Sequence, residues 1–436
     1  MKRFTAFLLA VAAALLLASC GGQAAPPLPS PPADQPSAPA EESPAPPEEL
    51  TLDVLLCGVG PETEEWFLAP GTGFVDRFEA ENPGVRLKLE LAAPDEIEQI
   101  VRDRLSAGDA PDIIHIAGSS GPFSDALFMS AEACCPDGLY SDFFPAFSVV
   151  SPDGSVRSLP DLASVYALYC NTALLDRAGV GIPGTWAELE EACLALLAYD
   201  GELRPLGLSM TDEESAACFA CFAWSAGGGL VGADGVWALN SDQNAGAVNF
   251  VLSLVDRGFT NPNPAVDTAG ELKTLFDEGA LAMLLADSRL FSGLPGNEAG
   301  VTAAPVPAGP DGAGAALGSA SYIAVLRDDA ETDHAARTEA VKRFLGFYYD
   351  PKNYVARAAL EGRLPLTRSA AGLLAQAGPS AASWAGVLES CHTLPAHSAD
   401  WETVRFGLYS VEQLSLIGGD PRSALDELQA SLAGGS

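Results

Sequence analysis

The sequence predicts an α/β fold with parallel neighbouring strands, organised as two domains or as one large bilobed domain. Strand-like and helix-like patterns alternate through the first part of the folded region, and this order builds a sheet covered by helices. About 385 residues follow a low-complexity N-terminal segment, a length that suits two domains better than one. Hydrophobic residues form 48% of the chain, which is ample for the cores.

Three strands and two helices make up the first alternation. Leu52–Cys57 is a short apolar strand pattern, and Val85–Leu91 alternates apolar with charged side chains, as a strand with one wet face does. Between them, Phe74–Phe78 has apolar residues at helical spacing. Ile97–Leu105 then carries one apolar helical face, and Ile113–Ile116 reads as the third strand.

The rest of the chain is rich in helices whose starts can be read from the sequence. Thr185 and Glu188 form a capping box, in which the hydroxyl and the carboxylate satisfy free amide groups at the helix start. Ser241 and Thr268 are predicted to begin two further helices. Pro421 opens the last helix, because proline is favoured at the first helical position.

Residues 1–20 are predicted to be a secretory signal rather than part of the fold. A short basic start precedes an apolar run from Phe7 to Ala18, which is shorter than the roughly 20 residues needed to span a bilayer. The run ends in Leu17-Ala18-Ser19-Cys20, which resembles the bacterial lipobox, where the cysteine thiol receives diacylglycerol. We therefore expect a lipid anchor on Cys20; the alternative is an ordinary cleavable signal with an incidental cysteine.

Two other segments have a composition that predicts their role. Residues 21–49 alternate Pro, Ala, Ser and acidic residues and are predicted to be a disordered linker, because they cannot bury enough apolar surface to fold. Ser215–Ala233 is uncharged and could be mistaken for a membrane span. Its triple glycine at 227–229 would interrupt a helix, so a buried helix followed by a glycine loop is expected.

Charge and motifs exclude several classes of function. The net charge of −35 argues against nucleic acid, since phosphate binding needs clustered lysine and arginine. The nine cysteines show no regular disulfide framework. The sequence has no Walker-type loop, Gly-x-Ser-x-Gly elbow or HExxH motif. Cys391, His392, His397 and Asp400 could form a metal cluster, but their spacing fits no common zinc pattern.

Six segments each carry a motif that is weak alone. The segments are Phe74–Val85, Leu105–Ile113 ("SAGxxPDI"), Tyr166–Asn171 ("xALYYN", with Cys170 where tyrosine is usual), Gly179–Glu188, Phe276–Met283 and Glu361–Pro365. All six occur, behind a lipobox, in the order of one known family. Together they resemble the extracellular solute-binding proteins of bacterial ABC importers that take up sugars and oligosaccharides.

The resemblance implies a two-lobed periplasmic-binding-protein-like fold of type II, in which hinge segments cross between the lobes. It places these crossings near Pro160–Val165, Gly318–Tyr322 and Leu364–Thr367. The implied N-terminal lobe is 50–160 plus 322–364, and the implied C-terminal lobe is 161–321 plus 365–436.

The same resemblance implies a binding function rather than an enzyme. The expected role is capture of a small solute, a sugar or oligosaccharide, and its delivery to ABC permease subunits, with no cofactor or metal. The expected form is a monomer held by lipid at the extracytoplasmic face of the membrane. Two alternatives stay open: a lipid-anchored sensor that presents its ligand to a receptor, and an extracellular hydrolase.

Candidate ligand residues follow from the chemistry of sugars, whose C–H faces pack on aromatic rings and whose hydroxyls need polar partners. Aromatic residues near the crossings or in loops are the first candidates: Trp66, Tyr166, Trp224 and Trp401. Each could equally be a core residue, Trp224 above all because phenylalanines flank it.

Polar candidates follow from the strand ends and from a departure from the family pattern. Ser119 and Ser120 follow the third strand at its carboxyl end, where open α/β sheets place ligands. After Met283 the family often has a glycine and a tryptophan, but here the chain continues to Asp287 and Arg289. Asp287 could therefore bind a charged or strongly polar solute, or form a surface salt bridge.

Overall fold

The structure is a computed structural model, and it describes residues 49–58, 60–117, 123–151, 153–232, 235–291, 300–327, 334–396 and 398–433. The expected signal peptide, the lipid attachment at Cys20, nearly all of the linker, and Ser119 and Ser120 lie outside these residues. The strands are β1 Leu50–Cys57, β2 Val85–Ala92, β3 Ile113–Ala117, β4 Leu159–Asn171, β5 Arg204–Gly207, β6 Leu281–Asp287, β7 Val301–Ala304, β8 Ala316–Val325, β9 Leu364–Pro365 and β10 Cys391–His392.

Helices surround the strands along the whole described chain. They are α1 Pro61–Leu68, α2 Phe74–Glu81, α3 Ile97–Ala107, α4 Ala131–Cys134, α5 Leu139–Asp142, α6 Thr172–Ala178, α7 Trp186–Tyr199, α8 Ser215–Ser225, α9 Asp242–Asp256, α10 Ala269–Asp277, α11 His334–Tyr348, α12 Pro351–Glu361, α13 Arg368–Leu374, α14 Pro379–Glu389, α15 Trp401–Leu416 and α16 Pro421–Ala433.

The strands form one continuous sheet in the order β2-β1-β3-β8-β4-β6-β5, with β7 and β9 paired to β4 and β10 paired to β8. β1 runs parallel to both β2 and β3, which confirms the parallel neighbours that the sequence predicts. β8 is antiparallel to β3 and to β4. We call β2, β1 and β3 the N-terminal half-sheet, and β5, β6, β7 and β10 the C-terminal half-sheet.

The two half-sheets are joined by β4 and β8, which belong to both. The start of β4 pairs with the end of β8, with Leu159 opposite Ile323, and its later residues pair with β6. The pairing of β4 with β8 shifts register between Pro160 and Ala163. At this point β9 adds to β4, with Ala163 opposite Leu364.

Three segments therefore lie side by side where the half-sheets meet: Pro160–Ala163, Gly318–Tyr322 and Leu364–Pro365. They lie within the ranges near which the resemblance places its crossings, and we call them the crossing segments. The exact lobe boundaries stay a prediction.

Several predicted helix starts are confirmed. Thr185 and Glu188 make the expected capping box, and Thr268 makes a second one with Glu271. The Ser241 side chain accepts a hydrogen bond from the Asn244 amide at the start of α9. Because capping residues satisfy amides that would otherwise lack partners, such helix starts can be read from a few residues.

Hydrophobic clusters cover both half-sheets. The largest includes Phe74, Phe78 and Trp384, and a second surrounds Leu168 and Phe222 in the C-terminal half-sheet. A further cluster joins α8, α9, α15 and α16. α8 is the buried helix expected from the uncharged stretch.

Two further findings concern the cysteines and the hydropathy of the helices. The described cysteines are all free, and each is buried except Cys57, which is partly exposed. Among the described residues, no helix combines the length and the hydropathy that a membrane crossing requires.

Candidate ligand-binding site

A cavity of about 410 Å³ lies at the carboxyl ends of β1 and β3, against the crossing segments. Residues from the strand ends, the start of α3 and the crossing segments line it, among them Cys57, His115, Ser319, Ser321 and Arg363. Open α/β sheets bind ligands at the carboxyl ends of their strands, where the order of the strands changes direction. The cavity is therefore the first candidate for a ligand site.

A second cavity, of about 440 Å³, lies at the opposite end of β3. Asp112, Arg157 and Arg337 line it, and Arg337 is paired with Asp112 at 2.6 Å. This cavity is at the amino end of β3 and away from the crossing segments. The first cavity is therefore the candidate ligand site.

His115 presents a neutral ring to the first cavity. Its Nδ1 accepts a hydrogen bond from the Cys57 backbone amide at 3.1 Å, which assigns the ring proton to Nε2. Burial lowers the pKa of His115 to about 4, although the Asp161 carboxylate opposes this. Nε2 lies 3.5 Å from Asp161 Oδ2 and makes no well-formed hydrogen bond. His115 is therefore an uncharged hydrogen-bond donor at neutral pH.

The thiol of Cys57 lies beside His115 but is not poised for chemistry. Burial raises the pKa of Cys57 to about 11, and the nearby Glu361 raises it further. Because the thiolate is the reactive form of cysteine, this thiol is a weak nucleophile at neutral pH.

A buried ion pair lies behind the cavity at the first crossing segment. Asp161 is fully buried, and its carboxylate is bound by both terminal nitrogens of Arg357, with Nη1 at 3.1 Å from Oδ2. Arg357 Nη1 also reaches Glu361 at 3.2 Å. The Tyr354 hydroxyl donates to the Asp161 carbonyl, and the Tyr348 hydroxyl donates to its carboxylate at 3.4 Å. Such a cluster is costly to break because each buried charge depends on its partners.

Arg363 connects this cluster to the cavity. Its Nη2 donates to the Leu162 carbonyl at 2.6 Å, and its Nη1 donates to Ser321 Oγ at 3.1 Å. Leu162 and Ser321 belong to different crossing segments, and Arg363 directly precedes the third.

On the C-terminal half-sheet, four residues lie in a row across four neighbouring strands. His392 is paired in register with Leu317, Leu317 with Tyr166, and Tyr166 with Asp287. Ser319 is two residues from Leu317 on the same face of β8 and lines the cavity. The row therefore crosses β8 two residues from the cavity lining.

Two carboxylates stand at one end of this row. Asp287 is paired with Arg289, with Oδ1 at 2.9 Å from Nε. Burial raises the pKa of Glu214, and the neighbouring Asp287 raises it further, while Arg289 lowers it. No described cation lies within 4.0 Å of the Glu214 carboxylate. The buried Tyr166 hydroxyl interacts with Glu214 but makes no well-formed hydrogen bond.

An aromatic pair stands at the other end of the row. The rings of Trp224 and His392 are stacked, with centroids 4.7 Å apart and planes inclined by 15°. Trp224 is half-buried and His392 is exposed, so the pair is open to solvent on one side. Burial lowers the pKa of His392, which favours its neutral form. Such a pair offers the kind of flat apolar surface on which a sugar ring packs.

The seven residues predicted to bind ligand do not all come together. Tyr166, Trp224 and Asp287 lie on or beside the row just described. Trp401 is only 9% exposed and packs in the cluster of α8, α9, α15 and α16, with its ring facing Trp237 at 6.5 Å. Trp66 packs on Phe67 and Phe74, and Arg77 lies over its ring at 5.7 Å. Trp401 therefore lies in a core, and Trp66 lines a different cavity. The packing of each side chain explains its position without a ligand.

Sequence reasoning missed four residues of the site: His115, Glu214, Arg363 and His392. His115 had a readable signal, because a histidine inside the apolar strand Ile113–Ile116 must be buried and needs a partner. Arg363 stood inside a segment that carried the family resemblance. His392 was predicted as a possible metal ligand or partner of a Cys391 nucleophile, and not as a ligand-binding residue. Among the described residues, which exclude His397, no group of three His, Cys, Asp or Glu side chains could hold a metal ion.

Comparisons with known proteins show the family to which this chain belongs. A family model described as bacterial extracellular solute-binding protein matches residues 60–355. A protein of Brucella abortus (strain 2308) that is named as a binding protein is 28% identical over 269 residues, or 59% of this chain. The match covers 64% of that relative's length.

Solved structures show the same architecture. The cyclic alpha-maltosyl-1,6-maltose binding protein of Arthrobacter globiformis superposes with a TM-score of 0.67 at 19% identity, covering 88% of this chain and 98% of that one. The sugar-binding protein MalE of Xanthomonas citri superposes with a TM-score of 0.65 at 21% identity, covering 87% of this chain and 96% of that one. The GacH receptor of Streptomyces glaucescens GLA.O superposes with a TM-score of 0.61 at 19% identity, covering 88% of this chain and 98% of that one. At these identities the likeness shows the fold, which is the two-lobed α/β fold of solute-binding proteins.

Proposed function

The chain belongs to the family of bacterial extracellular solute-binding proteins, and we propose that it captures a small solute, a sugar or oligosaccharide, where its two half-sheets meet. The observation that carries this proposal is the cavity on the crossing segments. Because those segments connect both halves of the fold, a solute held there can contact both halves. Closure around a ligand is the hinge motion of periplasmic binding proteins.

The proposed site combines both ends of the row with the cavity. Trp224 and His392 would pack against a sugar face, and Tyr166, Asp287 and Glu214 would meet its hydroxyls. Ser119 and Ser120 stay in the proposal on the sequence argument alone. Trp66 and Trp401 are left out, because their packing already accounts for them.

The charges around the proposed site are compatible with a polar solute that carries a cationic group. Asp161 and Glu361 are balanced by Arg357 and the nearby Arg363, whereas no described cation lies within 4.0 Å of the Glu214 carboxylate. A carboxylate without a salt-bridge partner can accept two sugar hydroxyls or one ammonium group. An amino sugar therefore belongs in any set of candidate ligands.

The remaining parts of the proposal are delivery and attachment. The protein would hand its solute to ABC permease subunits, and lipid on Cys20 would hold it at the extracytoplasmic face of the membrane, with residues 21–49 as a tether. The lipobox-like sequence at residues 17–20 and the family match support this.

Attachment is tested by Cys20→Ala. We expect the variant to leave the membrane fraction while the parent chain stays with it. A variant that remains fully membrane-bound would contradict lipid attachment at Cys20.

Solute capture is tested by thermal shift against maltose, maltotriose, acarbose, glucosamine, N-acetylglucosamine and sorbitol. A solute that binds only the folded chain raises the melting temperature by mass action. If none of a broader sugar and polyol panel does so while a chromogenic glycoside is hydrolysed, the binding function is wrong and the hydrolase alternative is right.

A further inference from the structure

The guanidinium of Arg363 binds two of the crossing segments, and its backbone directly precedes the third. Its Nη2 donates to the Leu162 carbonyl at 2.6 Å and its Nη1 to Ser321 Oγ at 3.1 Å. Ser321 Oγ also donates to the Leu162 carbonyl at 3.3 Å. Arg363 itself directly precedes β9, the third segment. One side chain therefore fixes the relative position of all three.

Arg363 differs from Arg357, the other arginine at the crossing segments. Arg357 is buried and bound to the carboxylates of Asp161 and Glu361. Among the described residues, no carboxylate oxygen lies within 4.0 Å of the Arg363 guanidinium. Its two side-chain contacts are a carbonyl and a hydroxyl, both uncharged. A guanidinium has five N–H donors, so these two contacts leave donors available.

The same side chain lines the proposed ligand cavity. Arg363 shares that lining with His115 and Ser319. Oxygen atoms of a bound solute are the acceptors that a planar guanidinium binds best, and its rigid fork loses little freedom for each bond that forms.

We propose that Arg363 is the positioning residue that couples occupancy of the cavity to the arrangement of the crossing segments. A bound solute takes the free N–H groups of the guanidinium and fixes its plane. The fixed guanidinium then holds the Leu162 carbonyl and the Ser321 hydroxyl in the arrangement of the occupied state. The coupling rests on the proposed solute binding, and a solute favours one arrangement only by its differential affinity for it.

Three substitutions test this role. Arg363→Met keeps most of the aliphatic stem and removes every donor, and Arg363→Lys keeps the charge but loses the fork. Arg343→Met is the matched control, because Arg343 lies on the surface of α11 and, within the described part of the chain, its one ion pair is with Glu339. All are made in the full chain carrying Cys20→Ala, so that Cys57 is the accessible thiol among the described cysteines.

Two measurements separate coupling from a merely structural role. Affinity for each solute of the panel named above is measured by titration calorimetry. Occupancy of the cavity is read from maleimide labelling of Cys57 at mildly alkaline pH, since Cys57 lines the cavity and a bound solute shields it. A structural role alone would lower the melting temperature without changing either readout for the folded protein.

We expect Arg363→Met to weaken binding of the best solute at least tenfold and to reduce its protection of Cys57 even at saturation. The affinity and the Cys57 protection of Arg363→Lys should lie between those of Arg363→Met and the parent chain. Both properties of Arg343→Met should match those of the parent chain. Ser321→Ala combined with Arg363→Met should weaken binding by less than the product of the two single effects, because the residues act together.

Each contrary result has a distinct meaning. Equal affinity and equal protection in Arg363→Met and the parent would overturn the role of Arg363 and leave solute binding intact. If no solute of the panel binds the parent or protects its Cys57, the cavity is not the ligand site, and both the proposed function and this inference fail.

Discussion

At the residue scale, burial decides what each polar side chain can do. His115 is neutral because burial lowers its pKa to about 4, and Cys57 is protonated because burial raises its pKa to about 11. Near Tyr166, behind the row of ligand candidates, Glu412 is buried with the Ser215 hydroxyl as its partner at 2.5 Å. These groups favour hydrogen bonding over nucleophilic or acid–base work.

Glu412 gives a prediction about stability and pH. Burial raises its pKa to about 8, above the usual value for an unfolded chain of about 4.3. The folded state therefore holds the proton more tightly, and this contribution is complete below about pH 4.3 and is lost as the pH rises toward 8. The slope is at most about 1.4 kcal/mol per pH unit.

Glu412→Gln removes this titration while keeping an acceptor for Ser215. Denaturant unfolding should show the variant gaining stability over the parent as the pH rises from 5 to 8. The control is Glu402→Gln, an exposed position on the same helix, which should leave the pH profile unchanged. A constant difference between Glu412→Gln and the parent across this range would contradict the assignment.

A second prediction separates a ligand residue from a core residue of similar chemistry. His392 is exposed beside Trp224, whereas Trp401 is 9% exposed in a core. His392→Ala should weaken solute binding several-fold and change unfolding little. Trp401→Ala should cost about 3–5 kcal/mol of stability and leave the affinity of the folded chain unchanged.

Calorimetric titration and denaturant unfolding of both variants supply the check. If Trp401→Ala abolished binding without loss of stability, the original sequence prediction for Trp401 would be right and its assignment to the core wrong.

At the element scale, the crossing segments are tightly packed as well as hydrogen-bonded. A Cβ atom added at Gly318 would lie 2.4 Å from two ring atoms of Phe147, a side chain that is itself fully buried. Gly246, on α9, has open space at the same position. The two glycines therefore make a matched pair.

Gly318→Ala should destabilise the protein by about 1–3 kcal/mol, because overpacking forces the Phe147 ring and its neighbours to move. Gly246→Ala should instead stabilise by about 0.5–1 kcal/mol, since alanine is the better residue inside a helix. Unfolding by urea measures the change in stability of each variant. Equal changes for the two substitutions would show that the crossing segments are loosely packed.

Elements were more predictable from the sequence than the site was. Local patterns predict the capping box of Thr185 and Glu188 and the strand at Val85–Leu91, because both depend on neighbours a few residues apart. The row from His392 to Asp287 depends on pairing between strands that are distant in the chain, and on a register that no local pattern specifies. The core packing of Trp401 could not be predicted for the same reason, because it depends on α8, α9 and α16, which are distant in the chain.

At the scale of the whole molecule, the fold and the family agree on a two-lobed binding protein. The net charge of −35 keeps such a chain soluble and adds a general attraction for cations around the Glu214 carboxylate. Affinity for an amino sugar should therefore fall as ionic strength rises, whereas affinity for a neutral sugar should not. Titrations with glucosamine and N-acetylglucosamine at low and high salt compare the two.

The central claim is capture of a small solute without chemistry. It is tested most directly by calorimetric titration of the full chain with the solute that gives the largest thermal shift, followed by mass spectrometry of the recovered solute. We predict saturable binding of one solute per chain and recovery of that solute unchanged. Absence of saturable binding, or recovery of a cleaved or modified solute, would contradict the claim.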